Sequence, residues 1–268
     1  MKLLFTDIDN TLLNDDKTIS NELRNAILSF LEKENKFILC SGRPEKSILQ
    51  VKSALCLPDT NVFISSCNGA RLLDCEKNYI ISETGIPLEL VRKVLDAAYS
   101  FHLHCHTYNE TSILTEFETK ELEYYTSHIK MPVILTPDIT TYLTNEPLKM
   151  LSVSIENSAC FPAFQKAISD ISNQSLTSLL SNPSYLEIFS SSAGKDSSIT
   201  KLTKYLSAFH EDTIAIGDAA NDISMIQTAY LGIAMQNADC ITKSHADYIT
   251  KNDNNHNGLL EILERYIN

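Results

Sequence analysis

In the first and the last part of the chain, short apolar runs alternate with segments of helical periodicity. Three apolar, partly β-branched runs predict buried strands, at residues 3–6, 36–40 and 62–65. Apolar positions at helical spacing, each set opened by a suitable starting residue, predict helices at 20–34 and 44–55. Strands that alternate with helices in this way predict a parallel sheet with right-handed crossovers.

The pattern between residues 83 and 189 is different, because helices and strands follow one another there without regular alternation. Helices are predicted at 87–100, 118–127 and 158–172, and strands at 101–107, 111–116, 148–155, 175–180 and 185–189. The small residues at 190–194 predict a linker, after which alternation returns up to a final helix at 257–267. We therefore predict an α/β fold: a Rossmann-like, doubly wound parallel-sheet core (1–82 and 190–268) with an inserted α+β domain (83–189).

The net charge and the length of the apolar runs limit which classes of function the protein can have. The 22 Lys and Arg residues against 34 Asp and Glu give a net charge of −12. This argues against non-specific binding to nucleic acid or to an anionic membrane, which needs a basic surface. No apolar run approaches the roughly 20 residues of a membrane helix, and the first residues lack a signal-peptide pattern. We expect a cytoplasmic protein.

Asp7 and Asp9 directly follow the first predicted strand, in the string FTDIDNTLL of residues 5–13. In open α/β sheets, ligands bind at the carboxyl ends of the strands. Two carboxylates two positions apart at such an end can share a hard cation and a reacting group. The string therefore predicts a chemical role for this edge of the sheet.

This string resembles the first motif of the haloacid dehalogenase superfamily, which is usually D-x-D-G-T. Further matches occur in the order that the superfamily expects: Ser41 ends the second strand, Lys195 starts the helix after the inserted domain, and GDAAND (217–222) follows a late core strand. The resemblance covers essentially the whole chain.

The chain is similar to the Cof-type subfamily in particular. It carries the strings SGR at 41–43, NGA at 68–70, GIAMQNA at 232–238 and ADYIT at 246–250. The large inserted domain also fits this subfamily and implies a mobile cap that selects the substrate. Asn10, Asp196 and Gln236 stand where glycine is common in the family. Since Asn is the residue that best replaces Gly in a left-handed conformation, we expect the loop at Asn10 to keep its shape.

The resemblance implies Mg²⁺-dependent hydrolysis of a small phosphorylated metabolite, such as a sugar phosphate or a phosphorylated cofactor. Asp7 would be the nucleophile that forms an aspartyl phosphate, and Asp9 would be the general acid and then the general base. The implied Mg²⁺ ligands are Asp7, Asp218 and Asp9, the last through its main-chain carbonyl. The implied phosphate-binding residues are Ser41, Gly42, Lys195 and Asn221. Asp222 would orient Lys195 or a metal-bound water, and Asn68 would contact the substrate.

The string HLHCHTY of residues 102–108 places a histidine at every second position. On a strand, His102, His104 and His106 would share one face with Tyr108. Neighbouring side chains on one strand face are too far apart for an easy tetrahedral zinc site. We therefore predict a half-buried polar face of the inserted domain, whose histidines contact the substrate if that face is turned towards the core.

Other functions share parts of this pattern. A phosphomutase of the same superfamily would use similar chemistry to move phosphate between positions. A non-catalytic metal- and phosphate-binding protein could use the same fold, although the complete set of reactive residues argues against it. A phospho-acceptor receiver domain would carry its aspartate after the third strand, where Ser65, Ser66 and Cys67 stand. The sequence predicts a small phosphorylated metabolite as the partner, without specifying which one, and leaves the oligomeric state open.

Overall fold

The structure is a computed structural model that describes residues 1–129 and 131–267. The chain divides into two compact units. Unit 1 consists of Met1–Glu83 together with the residues from Gly194 onward, and unit 2 is the contiguous segment Thr84–Ala193. Among the described residues, no helix has both the length and the apolar character needed to cross a bilayer.

The described residues form fourteen strands and ten α-helices. The strands are β1 Leu3–Asp7, β2 Lys36–Cys40, β3 Val62–Ser66, β4 Arg71–Asp74, β5 Tyr79–Glu83, β6 His104–Tyr108, β7 Ile113–Thr115, β8 Val133–Leu135, β9 Met150–Val153, β10 Leu176–Asn182, β11 Tyr185–Ser190, β12 Thr213–Gly217, β13 Leu231–Ala234 and β14 Tyr248–Ile249. The helices are α1 Asn21–Glu32, α2 Glu45–Ala54, α3 Leu88–Ser100, α4 Lys120–His128, α5 Ile139–Tyr142, α6 Phe161–Ile171, α7 Lys195–Leu206, α8 Ile223–Thr228, α9 Cys240–Ser244 and α10 Leu260–Ile267.

Unit 1 contains an eight-stranded sheet in the order β14-β13-β12-β1-β2-β3-β4-β5. The six strands from β14 to β3 are parallel, and β4 and β5 extend the sheet as an antiparallel edge. The chain adds strands on one side of β1 from β2 onward and on its other side from β12 onward. This reversal of strand order at β1 is the position at which such sheets bind ligands.

Helices cover both faces of the unit 1 sheet, as the near-continuous apolar strands require. Alternate residues of β1 point to opposite faces, so Leu4 packs in one core and Phe5 in the other. Helices α1, α2 and α10 contribute to the first core, and α7 and α8 contribute to the second. The predicted α/β class with a doubly wound parallel sheet is confirmed.

Unit 2 contains a six-stranded sheet in the order β10-β11-β9-β6-β7-β8. Helices α3 and α6 pack on it around a core that includes Val94, Met150 and Phe164. A smaller cluster joins Leu122 and Tyr125 of α4 to Leu151 and other alternate residues of the sheet. Unit 2 therefore has apolar cores of its own.

The structure differs from the sequence prediction at several short elements. The antiparallel strands β4 and β5, the edge strand β8 and the helices α5 and α9 were not predicted. The predicted strand at 101–107 starts only at His104, because His102 lies in the turn after α3 with a left-handed φ of 54°. His102 is exposed and does not share the strand face of His104 and His106, which corrects that part of the histidine prediction.

Candidate active site

Three of the predicted site residues, Asp7, Ser41 and Asp218, lie at the carboxyl ends of three neighbouring strands. Asp7 is the last residue of β1, and its register partner on β2 is Cys40, so that Ser41 follows beside it. On the other side of β1, Asp218 follows the last residue of β12. The parallel register therefore brings residues from distant parts of the sequence to one edge of the sheet.

Lys195 connects two of the carboxylates. It is the first residue of α7 and is only 1% exposed. Its Nζ donates hydrogen bonds to Asp7 Oδ1 and to Asp222 Oδ1, both at 2.5 Å. A buried ammonium is stable only where such partners compensate for the lost hydration, so Lys195 and the two aspartates form one unit.

Hydrogen bonds to both carboxylate oxygens fix the side chain of Asp222. While Oδ1 accepts from Lys195, Oδ2 accepts from the main-chain N–H groups of Asp218 at 3.1 Å and Ala219 at 3.2 Å. The side chain of Asp222 can lie this close to the main chain only because residue 217 is a glycine. A Cβ there would lie 2.4 Å from the side chain of Asp222. Asp222 thus holds Lys195 and the start of the loop that carries Asp218.

The pKa values of the cluster reflect crowded negative charge. Burial raises the pKa of Asp7 well above its ordinary value, and the carboxylates of Asp222 and Asp218 oppose the lowering effect of Lys195. Burial and the neighbouring Asp222 raise the pKa of Asp218 to about 6. For Lys195, burial disfavours the ammonium, but Asp222 and Asp7 outweigh this effect and raise its pKa. The carboxylates of Asp7 and Asp218 are therefore poorly compensated without a further cation.

The geometry suits a bound metal ion. Asp7, Asp218 and Asp222 each offer a carboxylate oxygen, and these oxygens all lie within 4.8 Å of one another. Carboxylate oxygens are the ligands that hard divalent cations prefer. Because both oxygens of Asp222 already accept hydrogen bonds, Asp7 and Asp218 are the better ligands of the three.

Asp9 is paired with two cations, Arg43 and Lys17, that were not predicted from the sequence. Arg43 makes a bidentate pair with it, at 2.8 Å from Nε to Oδ2 and 2.7 Å from Nη2 to Oδ1. Lys17 Nζ donates to Oδ1 at 3.0 Å. Burial raises the pKa of Asp9, but the hydrogen bonds and charges of Arg43 and Lys17 lower it below its ordinary value. This pairing favours the ionised carboxylate.

Thr11 links the loop after β1 to the other side of the site. Its hydroxyl donates to Asp218 Oδ1 at 2.8 Å, and the side chain is almost completely buried. The roles of Thr11, Lys17 and Arg43 at this site were not predicted from the sequence. The contact of Arg43 with Asp9 could have been predicted, because Arg43 follows the end of β2 and Asp9 follows the end of the neighbouring strand β1.

The predicted phosphate-binding residues lie around the same edge. Ser41 is buried, and its Oγ accepts the main-chain N–H of Arg43 at 3.2 Å, which leaves its hydroxyl proton to donate. The main-chain N–H of Asn68 donates to the carbonyl of Ser41 at 3.0 Å. Gly42 follows Ser41, and Asn221 lies partly exposed in the 3₁₀ turn next to Asp222.

The predicted histidines of unit 2 form a buried chain of hydrogen bonds. His104 Nε2 pairs with His106 Nδ1 at 3.0 Å, and His106 Nε2 pairs with Tyr108 Oη at 3.0 Å. Tyr108 Oη donates to Tyr125 Oη at 2.7 Å. Both ring nitrogens of the fully buried His106 are therefore engaged within unit 2, an arrangement that favours a role in packing over direct contact with a substrate.

Comparison with known proteins identifies the family. A sequence model of the haloacid dehalogenase-like hydrolases matches residues 4–263. The chain belongs to this family. A crystal structure of such a hydrolase from Bacteroides thetaiotaomicron is 30% identical, covers 98% of each chain and superposes with a TM-score of 0.87. The resemblance to Cof-type hydrolases that the motifs predicted is confirmed.

Relatives with named activities place this hydrolase among the phosphatases. The 5-amino-6-(5-phospho-D-ribitylamino)uracil phosphatase YcsE of Bacillus subtilis is 26% identical over 100% of this chain and 96% of the relative. The phosphatase YwpJ of the same organism is 25% identical over 96% of each chain. The prediction that this haloacid dehalogenase-like hydrolase is a phosphatase is confirmed.

Proposed function

We propose that the protein hydrolyses a small phosphomonoester with Asp7 as the nucleophile and Mg²⁺ as the metal ion. The observation that carries this proposal is the cluster of the buried residues Asp7, Asp222 and Lys195 with the half-buried Asp218. Three carboxylates face one ammonium within it. A divalent cation would compensate for the remaining negative charge and would lower the raised pKa values of Asp7 and Asp218.

The residues present fit Mg²⁺, which is usually bound by one or two carboxylates with the substrate phosphate and water. Asp7 and Asp218 would hold it through their carboxylates, and Asp9 would add its main-chain carbonyl. When bound, the cation supplies charge stabilisation for the phosphoryl oxygens and reduces their repulsion from Asp7.

In the proposed first step, a carboxylate oxygen of Asp7 attacks phosphorus while the bond to the leaving alkoxide breaks. Asp9 gives its proton to the alkoxide, and the product alcohol leaves. In the second step, Asp9 takes a proton from water, whose oxygen attacks phosphorus and releases inorganic phosphate from Asp7. Splitting the reaction over a covalent aspartyl phosphate replaces one slow step by two faster ones.

The observed contacts support the second role of Asp9 in particular. Its bidentate pair with Arg43 and its bond to Lys17 favour the carboxylate, which is the form that accepts the proton of water. To act as the acid in the first step, Asp9 must carry a proton and turn from these cations towards the leaving oxygen. We propose that substrate binding accompanies this change.

The phosphate of the substrate would be held by the groups that ring Asp7. Lys195 supplies a buried positive charge, Ser41 a hydroxyl donor, and Gly42 a main-chain N–H without a side chain in the way. We propose Asn221 as a further phosphate contact and Asn68 as a substrate contact. Asp222 would keep the ammonium of Lys195 aimed at the site.

We propose that the substrate is a sugar phosphate or a phosphorylated cofactor and that the inserted domain selects it. The relative YcsE acts on a compound with a phosphorylated ribityl chain, which combines a phosphomonoester with a polyhydroxylated carbon chain. In unit 2, the ion pair between Lys149 and Glu187 (3.4 Å) provides two charged side chains. These are the candidates for selection of the leaving group.

The deciding experiment is a screen for phosphate release. Purified protein with Mg²⁺ is offered sugar phosphates, phosphorylated ribityl compounds and nucleoside monophosphates, with Asp7→Asn as the matched control. We expect release from at least one substrate, and loss of at least 10³-fold in kcat in the control because the nucleophile is gone. Retained turnover in Asp7→Asn contradicts the assignment of the nucleophile.

Two other outcomes of the same screen replace the proposed function. Transfer of phosphate between positions of one sugar, without release, identifies a phosphomutase. Phosphate and Mg²⁺ binding without turnover on any substrate identifies a non-catalytic binding protein.

A further inference from the structure

The loop between β1 and α1, residues 8–20, carries three groups that act on the site. Asp9 is the proposed acid and base, Thr11 holds Asp218, and Lys17 holds Asp9. This β1–α1 loop has little regular structure, and its own main-chain bonds are few and local, such as Leu13 N–H to Ile8 O and Asn14 N–H to Thr18 O, both at 2.9 Å. Something further must fix it for these groups to be placed accurately.

Asparagines from the other end of the chain bond to the β1–α1 loop at successive points. Asn237 Nδ2 donates to the carbonyl of Asn10 at 2.8 Å. Asn254 Nδ2 donates to the carbonyl of Leu13 at 3.0 Å and to Asp15 Oδ1 at 3.1 Å. The two asparagines are themselves joined, since the main-chain N–H of Asn254 donates to Asn237 Oδ1 at 3.1 Å.

Two more asparagines extend these contacts away from the site. Asn255 Oδ1 accepts the main-chain N–H of Asp15 at 3.0 Å. Asn257 Oδ1 accepts from the hydroxyl of Ser20, the N-terminal cap of α1, at 2.8 Å. The side chains of Asn237, Asn254, Asn255 and Asn257, here called the asparagine clamp, therefore hold the loop over most of its length.

The chemistry of asparagine suits this task. Its amide both donates and accepts, so one side chain can join two main-chain segments without adding charge beside a negatively charged site. Asn254 is only 3% exposed, and the carbonyl of Leu13 would lose this buried partner if the amide were removed. A lysine or arginine could make the same donations, but its charge would compete with the cation that the carboxylates require.

We propose that Asn237 and Asn254 are positioning residues for the proposed phosphatase reaction, holding the β1–α1 loop so that Thr11 and Asp9 stay aligned with Asp218 and Asp7. The inference rests on the proposed function for its effect on catalysis. The clamp itself is a property of the fold and can be tested without any substrate.

The test compares variants at the near and far ends of the clamp. Asn237→Ala removes an exposed side chain, so the fold should tolerate it, while Asn254→Ala removes the buried donor. Asn257→Gly is the matched control, because glycine keeps the left-handed φ of 60° at this position and the lost bond is to the helix cap instead of the site. The first readout is amide hydrogen exchange of residues 8–17 in the metal-free protein.

We expect the exchange of Leu13 and Asn14 amides to rise about tenfold in Asn237→Ala and Asn254→Ala, and to stay near that of the unmodified protein in Asn257→Gly. The second readout is the half-saturating Mg²⁺ concentration for phosphate release, which we expect to rise about tenfold in the first two variants only. In the double variant of Asn237→Ala and Asn254→Ala, both readouts should rise little more than in Asn254→Ala alone. The two changes release the same loop, so their effects should not add.

Three outcomes would overturn the inference. Unchanged exchange in Asn237→Ala shows that the loop does not depend on the clamp, and this result stands even if the unmodified protein releases no phosphate. Faster exchange with unchanged kcat and unchanged Mg²⁺ dependence limits the clamp to folding. The third outcome is that amide exchange and the half-saturating Mg²⁺ concentration rise equally in Asn257→Gly and Asn237→Ala, in proportion to the loss of thermal stability. This result shows a general structural effect.

Discussion

At the scale of single residues, the site depends on pairings between a few charged side chains whose neighbours decide their protonation. Lys195 keeps Asp7 and Asp222 together, while Arg43 and Lys17 keep Asp9 ionised. The two aspartates of the first motif, only two positions apart, thus have different surroundings: the pKa of Asp7 is raised and that of Asp9 is lowered. Such a division between neighbouring carboxylates is typical of sites that separate a nucleophile from an acid and base.

Replacement of Asp9 tests this division. We expect Asp9→Asn to lower kcat by about 10²–10⁴-fold, because the variant can neither give a proton to the leaving alkoxide nor take one from water. KM should change little, since the amide keeps the size of the side chain. Steady-state kinetics measures both constants. A variant with normal kcat would remove Asp9 from the proposed mechanism.

Thr11 offers a test of the opposite side of the site. Thr11→Val keeps the shape of the side chain but removes the 2.8 Å bond to Asp218. We expect the affinity for Mg²⁺ to fall about 10–100-fold, because a metal ligand loses the group that orients it. Thr11→Ser, which keeps the hydroxyl, is the control. Calorimetric titration with Mg²⁺ separates this effect from a change in turnover, and equal affinities in the two variants would contradict it.

The sequence could predict residues that sit at strand ends, but it missed some of the contacts among them. Asp7, Ser41 and Asp218 were predictable because parallel strands end at a common edge. The contact of Lys17 with Asp9 was not predictable, because it depends on a turn at Lys17 itself, which has a left-handed φ of 65°. No periodicity of the sequence reports such a turn.

At the scale of elements, β6 of unit 2 carries an unusual amount of buried polarity. The ring nitrogens of His104 and His106 bond to each other, to the hydroxyl of Thr119 and to the hydroxyl of Tyr108. Tyr108 in turn donates to Tyr125. Burial lowers the pKa of His104 to about 4, and the pKa of His106 also lies well below its ordinary value. The surroundings of this strand therefore favour the neutral form of both imidazoles.

The buried histidines make the stability of unit 2 depend on pH. Between about pH 6.5 and pH 4 the unfolded chain binds protons that the folded chain excludes, so the free energy of unfolding falls as the pH is lowered through this window. His104 alone accounts for up to about 3 kcal/mol over the full window. Urea unfolding at about pH 7 and about pH 5 measures the slope.

Two variants isolate the contribution of the strand. His104→Gln should reduce the loss of stability between the two pH values, while His102→Gln, which changes an exposed side chain, should leave it as it is. The same pH slope in the unmodified protein and in His104→Gln would contradict the expectation. Glu121 and Lys149 also act on these imidazoles and remain in place in both variants.

The elements that the sequence did not predict are an edge hairpin and several very short segments. Strands β4 and β5 form an antiparallel hairpin at the edge of the sheet, and Tyr79 and Ile80 of β5 are exposed, so the strand lacks an alternating pattern. Strand β8 has three residues and α5 has four. Such short elements are fixed by tertiary contacts more than by their own sequence.

At the scale of the whole molecule, the chain is arranged as one contiguous unit inside one discontinuous unit. Unit 2 has its own sheet and its own apolar cores, and its two ends are the single points at which the chain enters and leaves it. Unit 1 needs both of its segments, because β1 pairs with β12 and β2 at once. The two units therefore differ in what each requires for folding.

We expect residues 84–193, expressed alone, to fold into a cooperative domain, because their apolar cores are complete within the segment. The measurement is urea unfolding followed by circular dichroism, with amide dispersion in NMR spectra as an independent sign of packing. Residues 1–83 alone are the control and should remain unfolded. A segment 84–193 without a cooperative transition would show that unit 2 depends on unit 1.

The pairing of β1 with β12 has a consequence for the order of events at the ribosome. Synthesis proceeds from the amino terminus, so Asp7 is made well before its neighbours Lys195 and Asp222 and before the asparagines that bond to its loop. The inserted segment can fold during translation while the first 83 residues still wait for their partner strands. The surroundings of the Asp7 carboxylate are thus complete only after residue 254 has emerged, and a product that stops before Lys195 lacks the ammonium that pairs with Asp7.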